Sequence, residues 1–212
     1  MKQLWPTLLI AAAIFALWNT PLMIPLKILI VFFHELSHGL AALATGGSIE
    51  SISISPEQGG LTYTRGGWGF LITSAGYLGS LLIGVLLYLS ALKSKADRLI
   101  MGALGATMLL VAALYMRELF ALGFTIAAGV AMLASAKYLP ENINDTALRV
   151  LGLVSMGYVP FDILSDTILR SNLRSDAYNL STQTGLPTVF WGGIWLLASL
   201  AVIFVAFKKS LR

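Results

Sequence analysis

Residues Pro21 to Ala44 read PLMIPLKILIVFFHELSHGLAALA, an apolar run that encloses the pentad His34-Glu35-Leu36-Ser37-His38. A helix over this run is roughly 36 Å long, enough to cross the hydrocarbon core of a bilayer with some tilt. Residues i and i+4 share one face of a helix, so His34 and His38 can direct ring nitrogens at one ion, with Glu35 beside it. The run therefore predicts a membrane-spanning helix that carries a zinc site with an attached base.

The two histidines of the pentad are the only two in the chain. A charged side chain at the centre of a spanning helix costs about 2.5 to 3.5 kcal/mol on insertion scales, so groups of this kind need a partner. They could be ordinary interior histidines held by hydrogen bonds. A bound metal is the simplest partner that two facing imidazoles can share, and we favour the metal site on that ground.

Composition places the chain among polytopic membrane proteins. Of 212 residues, 57% are hydrophobic and only 11% are charged, which exceeds the apolar share that a water-soluble core of this size uses. Cysteine is absent, so a metal must be held by imidazole and carboxylate groups. The net charge of +4 comes mostly from short flanking clusters, which indicates contact with the lipid bilayer and not with nucleic acid.

The apolar segments predict an all-α fold of about seven transmembrane helices, or six if the first is removed. The first apolar run could be a signal peptide, but no convincing cleavage site follows it, so we expect it to be retained. No linker or internal repeat appears, and we treat residues 1–212 as one integral membrane domain. The predicted spans are Leu4–Trp18, Pro21–Ala44, Trp68–Leu92, Leu99–Met116, Leu119–Tyr138, Thr146–Leu169 and Thr188–Phe207.

A small β-hairpin is predicted directly after the HExxH helix. Ser51 to Ser55 and Leu61 to Arg65 both alternate apolar and polar residues, and turn residues separate them. The hairpin could be a simple connector, or its edge could pair with an extended peptide near a hydrolytic site. In the third span, small residues from Gly69 to Gly84 recur every three or four positions and predict a packing face, with the HExxH helix as the expected partner.

Catalytic zinc normally has three protein ligands and a water, so the two histidines need a third ligand. Three aspartates are candidates: Asp162 and Asp166 on the sixth span, interrupted by Pro160, and Asp176 in the polar segment before the last span. Both His38 and Asp162 lie roughly 10 Å from the end of their spans, so depth favours Asp162 as the ligand. Asp166 fits a role in orienting a histidine or holding water, and Asp176 fits helix capping. Both stay open as alternatives.

The order of these features resembles the site-2 protease family of intramembrane zinc metalloproteases, in its compact branch without extra soluble domains. The resemblance rests on the His-Glu-Leu-Ser-His-Gly run, the hairpin, the small-residue helix and a later aspartate. It implies His34 and His38 as ligands, Glu35 as the base, an aspartate as third ligand, and a multi-pass protein of a bacterial-type plasma membrane. Where the family usually has Gly-Pro and a nearby asparagine, this chain has Gly76-Tyr77-Leu78-Gly79.

We therefore predict hydrolysis of peptide bonds in membrane-spanning substrates, with zinc held by His34, His38 and Asp162 and with Glu35 as general base. Two other functions compete with this one. A metal-binding membrane protein of the same fold without catalysis is possible, because fold does not fix chemistry. A metal or proton transporter is less favoured, since ionisable residues gather in two spans and do not line a path. The positive-inside rule leaves the orientation open, because lysine and arginine flank both sides of the spans.

Overall fold

Apolar segments in lipid form helices because a helix satisfies its own backbone hydrogen bonds, and this chain follows that rule. The computed structural model describes residues 4–171 and 174–210. The helices are α1 (Leu4–Leu17), α2 (Ile24–Ala44), α3 (Gly69–Lys93), α4 (Asp97–Tyr115), α5 (Leu119–Tyr138), α6 (Glu141–Leu164), α7 (Asp176–Thr184) and α8 (Thr188–Ser210). A 3₁₀ turn at Pro21–Met23 leads into α2, and a π turn at Ser165–Leu169 extends α6.

Six helices in the described part of the chain are long and apolar enough to span a membrane. These are α2 with its 3₁₀ turn, α3, α4, α5, α6 with its π turn, and α8. Helix α1 has 14 described residues and is shorter. The prediction of an all-α polytopic membrane protein with a small hairpin is confirmed.

Helix α6 begins earlier than the sequence indicated, at Glu141 and not at Thr146. Polar residues of its first turns are paired within the fold and do not form a loop. The Oε1 atom of Glu141 accepts a hydrogen bond from the backbone N–H of Asp97 at 2.9 Å, at the start of α4. Asp145 accepts a hydrogen bond from Nε of Arg149 at 2.9 Å, one turn along α6.

The predicted interruption of the sixth span lies after Pro160 and not at it. Helix α6 continues through Pro160 to Leu164, and regular α geometry is lost only in the π turn that follows. In that turn the hydroxyl of Thr167 donates a hydrogen bond to the carbonyl of Ile163 at 2.7 Å. Single π turns are frequent at functional sites, and this one carries polar groups toward α3, as described below.

The small-residue face of α3 contacts two helices. At its N-terminal half, a Cβ atom added at Gly79 would lie 2.6 Å from Cβ of Ser37, so α3 and α2 approach closely there, as predicted. Further along, Gly84 faces Ser155 of α6, and the Ser155 hydroxyl donates to the carbonyl of Ser80 at 2.8 Å. Close backbone approach of this kind is how small residues bind membrane helices together. Helices α2, α3 and α6 thus form the centre of the bundle.

The two strands of the hairpin, β1 (Ser48–Ile54) and β2 (Gly60–Arg65), pair antiparallel and pack on α2. Strand β1 also contacts α4 and α5, and its Ile52 and Ile54 side chains are buried. Strand β2 is more open, with Leu61 50% and Tyr63 58% exposed. The hairpin therefore has a covered strand and an exposed strand.

Candidate metal centre

The HExxH residues lie on one face of α2, as their spacing predicted. The ligand atoms of His34, Glu35 and His38 all lie within 4.8 Å of one another. Glu35 and His38 are buried, and His34 is partly exposed. Helix α2 thus brings two imidazoles and one carboxyl together in the interior of the bundle.

The ring of His38 is fixed by the backbone of α3. Its Nδ1 atom donates a hydrogen bond to the carbonyl oxygen of Ile72 over 2.7 Å. This bond assigns the proton to Nδ1 and leaves the lone pair of Nε2 free to bind a cation. Metal-binding histidines commonly have such a partner on the second ring nitrogen.

A third group reaches the two histidines from outside the spanning helices. The Oδ2 atom of Asp176, on α7, lies 3.0 Å from Nε2 of His34 and 3.2 Å from Nε2 of His38. Apart from these two nitrogens, Oδ2 is buried without a hydrogen-bond partner among the described residues. The geometry therefore directs one carboxylate oxygen and two imidazole nitrogens at a common point.

Local structure explains how α7 presents Asp176. Ser175 caps the helix by accepting a hydrogen bond from the backbone N–H of Tyr178, and Gly185 ends it with φ of 75°. The buried side chains of Ala177 and Leu180 hold the helix against the bundle. Burial alone would raise the pKa of the Asp176 carboxyl, but the neighbouring His38 and His34 more than offset it and lower the pKa below its ordinary value. The carboxylate form suits a metal ligand.

The structure does not bring Asp162 or Asp166 to the histidine pair. Asp166 accepts a hydrogen bond from Nη2 of Arg170 at 2.6 Å, and the same nitrogen lies 4.0 Å from Oδ1 of Asp162. Within residues 4–171 and 174–210, neither aspartate forms an ion pair with His34 or His38. Depth favours Asp162 only if the segment before the last span lies outside the membrane. In the structure, α7 in that segment folds back to the site.

The hairpin contacts the predicted base, which the sequence reasoning did not anticipate. The hydroxyl of Thr62 donates a hydrogen bond to Oε2 of Glu35 over 2.7 Å. Beside it, a Cβ atom added at Gly60 would lie 2.6 Å from Cγ of Glu35, so glycine is needed for the strand to approach this closely. Strand β2 thus orients the Glu35 carboxyl.

The family model described as Peptidase M50B-like matches residues 7–206. The chain belongs to this family. The match confirms the resemblance to site-2 proteases and covers every candidate site residue named above. Curated proteins and solved structures give no match to this chain.

The donor groups of this M50B-like protein fit a zinc ion. Zinc binds imidazole nitrogen and carboxylate oxygen, and both kinds of donor converge here without any thiolate. Helix α3 packs directly against both rings at Gly76, because an added Cβ atom there would lie 2.6 Å from the Cε1 atoms of both His34 and His38. Among the described residues, Oδ2 of Asp176 is buried and faces only the two imidazole nitrogens, so a cation at this point would satisfy it.

Proposed function

We propose that this M50B-like protein is an intramembrane zinc endopeptidase that cuts membrane-spanning protein substrates. His34, His38 and Asp176 are the proposed ligands, with Asp176 in place of the predicted Asp162. The observation that carries the proposal is the approach of one Asp176 oxygen to within 3.0 and 3.2 Å of the two Nε2 atoms. We further propose that the protein is a multi-pass component of a bacterial-type plasma membrane, and its six candidate spans support the multi-pass part of this proposal.

The proposed reaction is hydrolysis of a peptide bond by water. A zinc ion held by His34, His38 and Asp176 would act as a Lewis acid that polarises a carbonyl group and lowers the pKa of water to about 7. Glu35, one residue from His34, takes the proton of the attacking water and then gives it to the leaving amine. Thr62 keeps the Glu35 carboxyl oriented through its hydrogen bond, and Ile72 keeps His38 in the tautomer that a metal ligand needs.

The exposed strand β2 is the proposed docking edge for the substrate. Its residue Thr62 contacts Glu35, so a peptide that pairs with β2 would run past the base. Strand β1 is less suited, because α4 and α5 pack on it and the hydroxyl of Ser53 bonds to Glu118 at 2.5 Å. Pairing also holds the substrate extended, which exposes its peptide bonds for cleavage.

Metal removal tests the proposed chemistry. Protein purified in detergent is expected to contain about one zinc per chain, and a chelator should remove both the metal and the cleavage of a membrane-spanning test substrate. Zinc should restore cleavage, whereas Mg²⁺ should not, since imidazole ligands suit zinc and magnesium prefers oxygen ligands. Full cleavage by protein shown to be metal-free would contradict the proposal.

Disulfide cross-linking tests the docking edge. The chain has no native cysteine, so only the introduced cysteines can react. In an inactive Glu35→Gln background, Tyr63→Cys on β2 should form a disulfide with cysteines placed near the cleavage site of a substrate. Leu119→Cys is the matched control, because Leu119 is an exposed apolar residue at the start of α5, next to the covered strand. Equal cross-linking at both positions, or at Leu119 alone, would reject β2 as the edge.

A further inference from the structure

Tyr77 joins the candidate metal centre to a polar cluster on α6. Its side chain is 1% exposed, and its ring packs edge-to-face on the His34 ring with centroids 4.8 Å apart. Its hydroxyl donates a hydrogen bond to Oδ2 of Asp166 over 2.5 Å. One residue of α3 therefore contacts both a proposed ligand and the π turn.

Asp166 is itself held in place. Arg170 donates from Nη2 to Oδ1 of Asp166 at 2.6 Å and from Nε to the Ser165 hydroxyl at 3.1 Å. All three residues belong to the π turn or its end, where the backbone N–H of Arg170 bonds to the carbonyl of Ser165. Arg170 is 52% exposed, so this pair contributes little to stability, but its short bond sets the direction in which Asp166 accepts from the Tyr77 hydroxyl.

His34 and His38 are oriented by different means. His38 has the Ile72 carbonyl on Nδ1, whereas His34, among the described residues, contacts the Asp176 oxygen and the rings of His38 and Tyr77. A ligand ring without a backbone partner needs another constraint to keep its lone pair on the ion. The Tyr77 ring supplies this constraint, because the His34 ring packs against it.

We propose that Tyr77 is a positioning residue for His34, held in place by Asp166 and Arg170. The inference rests on the proposed zinc site. In this proposal Asp166, in the π turn, acts on His34 through Tyr77, whereas Asp162, on α6, lies beside the Arg170 that holds Asp166. A residue that only fills space in the core would need its ring but not its hydroxyl, so removing the hydroxyl separates the two roles.

The test is zinc affinity, measured by chelator competition on the purified full chain, together with the visible spectrum of the Co²⁺-loaded protein. Tyr77→Phe keeps the ring and loses the bond to Asp166, and we expect zinc binding about 10-fold weaker with shifted Co²⁺ bands. Asp166→Ala should cause a similar loss. The double variant should add little to the larger single effect, because both changes break the same bond.

Ser155→Ala is the matched control. It removes a buried hydroxyl bond between α6 and α3, the same pair of helices, without contact to either histidine, and should leave zinc affinity and the Co²⁺ spectrum unchanged. An equal loss in this control, or wild-type behaviour of both Tyr77→Phe and Asp166→Ala, would overturn the inference. If the wild-type chain itself binds no zinc, the proposed function fails as well, and this outcome is seen before any variant is made.

Discussion

Glu35→Gln is expected to reduce peptide cleavage by about 10²- to 10⁴-fold, the usual contribution of a general base, while zinc stays bound. The change removes the proton acceptor but keeps the size of the side chain. An amide oxygen can still accept the hydrogen bond that Thr62 donates to Glu35, so the contact between β2 and α2 should persist. Cleavage of a co-expressed membrane peptide and the zinc content of the purified protein are the two measurements.

Glu50→Gln provides the control for loss of an acid elsewhere in the chain. Glu50 lies on the hairpin and pairs with Arg65 at 2.7 Å on an exposed surface, and a pair of that kind contributes little to stability. Cleavage should stay at the wild-type level. Retained cleavage in Glu35→Gln would remove Glu35 from the mechanism. Zinc binding without any cleavage by the wild type would favour the non-catalytic metal-binding protein.

Asp176→Ala is expected to release most of the zinc and to abolish cleavage, because two histidines alone form an incomplete site. Asp162→Ala should keep the metal, since Asp162 lies near Arg170 and outside the histidine cluster. The two variants remove the same side chain, one from the end of α6 and one from the start of α7, so each controls for the other. Zinc content per chain, determined on protein that elutes as wild type, is the measurement.

The opposite pattern of zinc loss would support Asp162 as the third ligand, as its depth in the membrane predicts. Zinc loss in Asp162→Ala with full occupancy in Asp176→Ala would mean that α7 does not carry the ligand. Loss in both variants would indicate that the end of α6 and α7 depend on each other through the π turn, which contacts both helices. Only metal loss confined to Asp176→Ala supports the proposed ligand set.

The part of the site that lies within one helix could be predicted from the sequence. His34, Glu35 and His38 follow a helical spacing, and the apolar run around them defines the helix, so local geometry was sufficient. The hairpin was predicted for the same reason, although β1 begins at Ser48 and the ladder contains an irregularity between Ile49 and Ser51. The periodicity of a sequence shows which residues share one face of a helix or strand. The HExxH residues and the alternating residues of the hairpin are features of this kind.

The rest of the site depends on how elements meet, and periodicity carries no information on that. The sequence predicts a helix-capping role for Asp176, because the segment around it is polar and too short to span a membrane. A clue was present in the pair Ala177 and Leu180, which share a helical face and are both fully buried. The contacts of Thr62 and Gly60 with Glu35 could not be predicted either, because the sequence of a strand does not indicate which helix it packs against.

The late position of Asp176 also bears on biosynthesis. The histidines enter the membrane with the second helix, but their carboxylate partner is translated only after five of the six candidate spans. A nascent chain that has not reached Asp176 holds two of the three proposed ligands, an incomplete site for catalytic zinc. The proposed activity would therefore be absent until α7 has been made, after five of the six candidate spans.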